Sequence, residues 1–234
     1  MLKKTVLTLS FLTILTTFYG FNGHIDSPRQ IESEALKQVE AASNLMTLLS
    51  EGEYQISAYD RIIRTISEQE GNDWRLMSAI AYHESRFTAD ITSRRGARGL
   101  MQIMPRTARQ FNVPIEDLLN PETNVLVANK VFSKIDSSLG LPASISSRDR
   151  LSLVLASYNG GIGHVSDARR LARAHGENPN SWEVVSRYLK LKAQPEYYEH
   201  EVVKCGRFTG SGQTLAYVND VLGRYDKYCR IAAR

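Results

Sequence analysis

The chain has 234 residues, 42% of them hydrophobic and 23% charged, with a formal charge of +4 and a pI near 9.0. That length holds one domain of about 150–200 residues plus appendages, and with 7 Pro and 15 Gly a collagen-like or long low-complexity chain is excluded. A basic excess this small describes a solvated face, and no motif interleaves aromatic with basic residues, so nucleic acid is not expected as a partner.

At the N-terminus Lys3 and Lys4 precede the apolar run Val6–Leu15, the layout of a secretory signal. The run is short for a membrane-spanning helix, which needs about 20 residues, and Tyr19–Gly23 is a poor cleavage site. Residues 1–23 are therefore expected to be a signal peptide or an uncleaved N-terminal anchor. Either reading places the protein in the periplasm or cell envelope, soluble or tethered at the membrane. Residues 24–56 form a spacer, helical over Ile31–Leu49 by periodicity and broken at Glu51-Gly52-Glu53.

From Ser57 the pattern is one helix after another, and residues 57–234 are expected to be a single mostly α domain. Tyr59–Glu70 is amphipathic and stops at Gly71. Asn72 or Asp73 caps a helix running from Trp74 to about Phe87. Asn120-Pro121 is a capping side chain followed by proline at the first helical position. The helix it opens carries Val125, Ala128, Val131, Phe132 and Ile135 on one face. Leu151–Ala156 is apolar nearly all round, as a central buried helix requires, and ends at Asn159-Gly160-Gly161. Further helices are expected at Ser166–Ala174, Ser181–Leu191 and Thr214–Tyr228, and a short strand at Gly99–Met104.

The residues Met77, Ile80, Ala81 and Glu84 fall on one face of the second of these helices, which sets a carboxylate on an apolar stripe. If buried, it acquires a raised pKa and becomes a general acid near neutral pH. The alternative is a glutamate at the edge of the stripe, reaching water or pairing with Arg86. In Arg95–Pro105, Gly96 and Gly99 allow a tight connection and close approach to a ligand. Gln102 offers both a donor and an acceptor suited to sugar hydroxyl and acetamido groups.

These segments resemble the catalytic domain of the soluble lytic transglycosylase family, with its goose-type-lysozyme-like fold. Glu84-Ser85 matches its Glu-Ser pair, Gly99–Pro105 its Gly-Leu-Met-Gln-x-Met-Pro, and Tyr158–Gly161 its Tyr-Asn-Gly/Ala-Gly. Asn120-Pro121 and Tyr217-Val218 also fit, so order and spacing agree over about Ser57–Tyr228. The stretch from Tyr59 to Pro105 is most similar to the membrane-bound F-type members, although residues 24–56 are too few for the solute-binding-like domain that precedes it there.

The resemblance implies a helical lysozyme-like domain with at most a short β-hairpin, acting on peptidoglycan glycan strands without metal or cofactor. It makes Glu84 the single catalytic acid/base. Ser93, Gln102, Met104, Tyr158 and Asn159 match positions lining the sugar cleft. Gln213 stands where family members carry a glutamate, which removes a charge. His83 points about 100° away from Glu84 and is read as a packing or surface histidine, and Arg94, Arg95 and Arg98 as a solvated loop that can also meet stem-peptide carboxylates. The implied reaction severs the bond between N-acetylmuramic acid and N-acetylglucosamine, closing a 1,6-anhydro ring. A muramidase on the same fold and a weakly active wall-binding module are the competing readings. Export into an oxidising compartment leads to a disulfide between Cys205 and Cys229, or else two buried free thiols. Two cysteines without a supporting His cluster do not make a metal site.

Overall fold

The computed structural model describes residues 55–232, together with Lys37 and Val39. The signal or anchor at residues 1–23 lies outside them. Of the helix expected at Ile31–Leu49 only Lys37 and Val39 are described, both helical and exposed. The chain divides into two compact units, Met1–Glu53 and Tyr54–Arg234, and the second carries everything below.

That unit is an assembly of helices: α1 Asp60–Gln69, α2 Trp74–Ser85, α3 Pro105–Arg109, α4 Pro121–Ser138, α5 Ser147–Gly160, α6 Ile162–Ala174, α7 Trp182–Leu191, α8 Pro195–Tyr198 and α9 Ser211–Ala232, with a 3₁₀ turn at Glu116–Leu119. The starts follow local chemistry. The side chain of Asp73 accepts from the Arg75 N–H at the head of α2, and Asn120 accepts from Thr123 N–H, with Pro121 opening α4. Six consecutive residues of α5, Ser152–Ser157, are buried, because α4, α6, α7 and α9 all pack on it. The all-round apolar pattern of Leu151–Ala156 thus marks the central helix.

Two expectations are corrected. Gly99–Met104 is not a strand. Gly99 (φ 77°) and Gln102 (φ 47°) take left-handed conformations that curl the chain back on itself. Across the turn Arg98 N–H meets Ile103 O at 3.0 Å and the reverse at 2.9 Å, and Gln102 N–H meets Gly99 O at 3.1 Å. Isolated bridges Thr92–Arg98 and Arg98–Ile103 are all the β structure among the described residues. The disulfide is not formed either, and both thiols are free. Cys205 packs against Gly163 at the start of α6. Cys229 sits near the far end of α9 beside Arg75 and Tyr225. Along α9, the stretch from Ser211 to Cys229 is about 27 Å long, whereas a disulfide needs Cα atoms within about 7 Å.

Candidate active site

Glu84 lies in the last turn of α2, and α9 packs along that helix. The side chain is half-buried, and burial pushes its carboxyl up to about 7, with the Tyr217 hydroxyl pulling slightly the other way. Arg86, the alternative partner, turns away instead to stack on Tyr82. No cation and no second carboxylate is among the groups that shift Glu84.

Two tyrosines flank this acid. Tyr217 is buried at 1% exposure, and its hydroxyl has no partner within strict hydrogen-bond geometry, so its polar interaction is with the nearby Glu84. Tyr158, in the last turn of α5, donates to the backbone carbonyl of Met101 at 3.4 Å. Burial and the Glu84 carboxyl both push the Tyr158 phenol up, as they do for Tyr217, so both stay protonated donors. Tyr217 was noted in the sequence only as half of a motif. The interaction that makes it a site residue is tertiary.

The turn at Gly99–Met104 is fastened to α2 and α4. Ser85 is buried and its hydroxyl donates to Leu100 O at 2.7 Å, joining the residue after the acid to the turn. Asn124 of α4, fully buried, accepts from Met101 N–H (2.6 Å) and donates to Arg98 O (2.9 Å) and Leu118 O (2.8 Å). Gly99 is required here, since a Cβ would lie 2.3 Å from Leu118 O. Sequence reasoning missed Asn124, although with Val127, Ala128 and Val131 it forms the same polar-on-apolar signature that singled out Glu84.

Gln102 is half-buried, and its amide nitrogen is taken by the carbonyls of Gly99 (2.9 Å) and Ile91 (3.4 Å). It therefore presents an acceptor and not the donor–acceptor pair expected. Met104 is 41% exposed at the head of α3. Ser93 accepts from Ala97 N–H at 3.0 Å within its own turn, and no contact brings it to Glu84. Arg94 and Arg95 are exposed, and Arg98 reaches Ile115 O at 3.4 Å. Asn159 accepts from the buried Thr214 hydroxyl at 3.0 Å, joining the end of α5 to the first turn of α9. Gln213 is exposed beside Thr214, one turn before Tyr217. His83 sets the edge of its ring against Tyr217 at 4.6 Å and lies 3.8 Å from Asp220, so it packs as expected. Among the described residues no cluster of His, Cys, Asp and Glu is placed to hold a metal ion.

The site is thus one half-buried carboxyl between tyrosines in a helical domain, facing a turn pinned by buried polar groups. The sequence profile of the transglycosylase SLT domain matches residues 61–180, and the chain belongs to that family. It is 35% identical over 172 residues to membrane-bound lytic murein transglycosylase F of Stutzerimonas stutzeri (74% of this chain, 34% of the relative). To the protein of that name from Alteromonas mediterranea it is 38% identical over 154 residues (66% of this chain, 32% of the relative). The chain thus spans about a third of the length of these relatives. Its fold matches that of an inactive mutant of lytic transglycosylase Slt from Pseudomonas aeruginosa, with a TM-score of 0.52 at 23% identity over 74% of this chain and 24% of that one.

Proposed function

We propose that this protein is an exported lytic transglycosylase that cuts peptidoglycan glycan strands in cell-wall turnover or remodelling. The observation that carries the reading is Glu84, a lone carboxyl held at about 7 by burial. A group with that pKa gives up a proton and takes one back at neutral pH, so it serves as both acid and base. As acid, Glu84 protonates the glycosidic oxygen between N-acetylmuramic acid and N-acetylglucosamine. That bond breaks, and the positive charge developing at C1 is supported by the muramyl acetamido group. As base, the Glu84 carboxylate removes the proton of the muramyl 6-hydroxyl, whose oxygen attacks C1 and closes a 1,6-anhydro ring.

The Tyr217 hydroxyl holds the carboxylate between these steps, while Tyr158 walls the site and donates to Met101 O. Gln102, Met104, Asn159 and Gln213 border the sugar cleft, with Ser93 on its outer loop. Most glycosidases use paired carboxylates, and none partners Glu84 here. A tethered hydroxyl supplies what a second carboxylate and a water otherwise would, because oriented intramolecular attack reaches effective molarities of about 10⁵–10⁸ M. The test is mass analysis of products from purified peptidoglycan. Anhydro ends, lighter by one water than reducing ends, are expected. A digest dominated by reducing ends would make the protein a muramidase, and an absence of cleavage would leave only a binding role.

A further inference from the structure

On the solvent side of the α2–α9 pair lies a groove of about 420 Å³, lined in part by Tyr82, Arg86, Asn219, Asp220, Arg224 and Lys227. Tyr82 stands about 160° around α2 from Glu84, so the groove opens on another face of that helix, with His83, which packs on Tyr217, at its border with the site described above. The Arg224 guanidinium lies 3.4 Å from the centre of the Tyr82 ring and that of Arg86 lies 4.3 Å from it. Two like charges are thus gathered on one aromatic ring. Neither guanidinium, nor the ammonium of Lys227 beside them, has an ion pair or side-chain hydrogen bond among the described residues. The one carboxylate of the groove, Asp220, is 70% exposed and leans towards His83 at 3.8 Å.

A guanidinium stacked on a ring uses its face and keeps its in-plane N–H donors free, in the fork geometry that matches oxyanions. A cation near the C-terminus of α2 is favourable in its own right, which accounts for Arg86 at the cap of that helix. It does not account for Arg224, which comes from α9 to the same ring, or for Lys227 of α9, which lines the same groove.

We propose that this groove is a phosphate-binding site, with Arg86 and Arg224 as paired forks and Lys227 as the point charge. Three cations against one carboxylate suit a phosphate group, which carries about −1.5 to −2 at pH 7, better than a singly charged carboxylate. The phosphate is either free or borne on a lipid headgroup. The site does not depend on the glycan-cleaving reading, because binding is measured without turnover.

The experiment is calorimetric titration of the whole protein with inorganic phosphate, and with acetate at matched ionic strength. Saturable binding of one phosphate, weakened about tenfold or more by the pair Arg86→Gln and Arg224→Gln, is expected. The melting temperature of the doubly substituted protein reports its folding, and Lys227→Gln, at an exposed position, is the variant to read if that protein does not fold. Sedimentation with phosphatidylglycerol vesicles separates the sources. Co-sedimentation lost in the variants assigns the phosphate to a lipid headgroup, and binding of inorganic phosphate alone assigns it to a free small molecule. The proposal is overturned by absence of saturable phosphate binding, by equal affinity for acetate, or by binding that survives the substitutions.

Discussion

Glu84 is stabilised as an acid at the cost of folding stability. Its carboxyl is raised to about 7 from a usual 4.5, so the folded state binds a proton more tightly than the unfolded chain does. Its burial therefore costs stability increasingly as pH rises from about 4.5 to 7, and the full cost persists above that. Glu84→Gln should melt higher than the parent at pH 8 and at nearly the same temperature below pH 4.5, as read by thermal denaturation at both pH values. The same variant should lose glycan cleavage by about 10²-fold or more, because the amide has no proton to transfer. Retention of a tenth of the parent rate would remove Glu84 from its role. Tyr217→Phe probes the neighbouring hydroxyl, which favours the ionised carboxyl. Without it the Glu84 pKa rises, so the alkaline limb of the pH–rate profile should move upward. Folding stability should hardly change, because that hydroxyl makes no other hydrogen bond.

Elements carry the next level of organisation, and there the turn at 98–103 depends on α4. Asn124→Ala would strand one buried N–H and two carbonyls, since the side chain satisfies Met101, Arg98 and Leu118 at once. The expected loss is about 3 kcal/mol or more by urea denaturation, with glycan cleavage falling as the turn loosens. Periodicity and caps made the helices legible: Asn120-Pro121 opens α4 and the apolar run of α5 marks the centre. Periodicity set Glu84 on the apolar stripe but left it open between a buried acid and an edge glutamate, and the family resemblance decided between them. What could not be read depended on partners distant in the chain. The carbonyls that Asn124 serves belong to a turn whose shape follows from the left-handed conformations of Gly99 and Gln102. That backbone also commits the Gln102 amide nitrogen inward. Leu100, Met101 and Ile103 are all buried, which is not the period-2 alternation of a half-buried strand, so the apolar run suited a strand in composition only.

The C-terminal part of the described domain is drawn together by a buried ion pair outside the site. Lys192 and Asp167 are both fully buried, 2.6 Å apart. Asp167 also accepts from Arg170 and from the N–H groups of Lys204 and Cys205. These contacts join α6, the end of α7 and the segment before α9, whose Phe208 stacks on His164 at 4.4 Å. Burial alone would raise the Asp167 carboxyl, but Lys192 and the two backbone donors hold it below the usual range. A depressed carboxyl stabilises the fold above its unfolded pKa near 3.8, and that stability is lost as pH falls through the folded value. Asp167→Ala should cost about 3–5 kcal/mol at neutral pH by leaving the Lys192 ammonium buried alone, as measured by denaturant unfolding.

The long helix α9 has a consequence for when Glu84 acquires its raised pKa. At one end α9 brings Tyr217 to the acid; further along, Tyr225 donates to Asp73, 152 residues earlier, at the head of α2. The wall that keeps water from Glu84 therefore includes a helix far downstream of it in the sequence. Before α9 docks, Glu84 stands on a helix open to solvent and titrates as an ordinary glutamate, fully ionised at neutral pH and unable to donate. Pairings this distant in sequence also form late in folding. A half-folded chain in which α9 has not docked thus holds Glu84 without the burial that raises its carboxyl, so the proposed acid forms only with that docking.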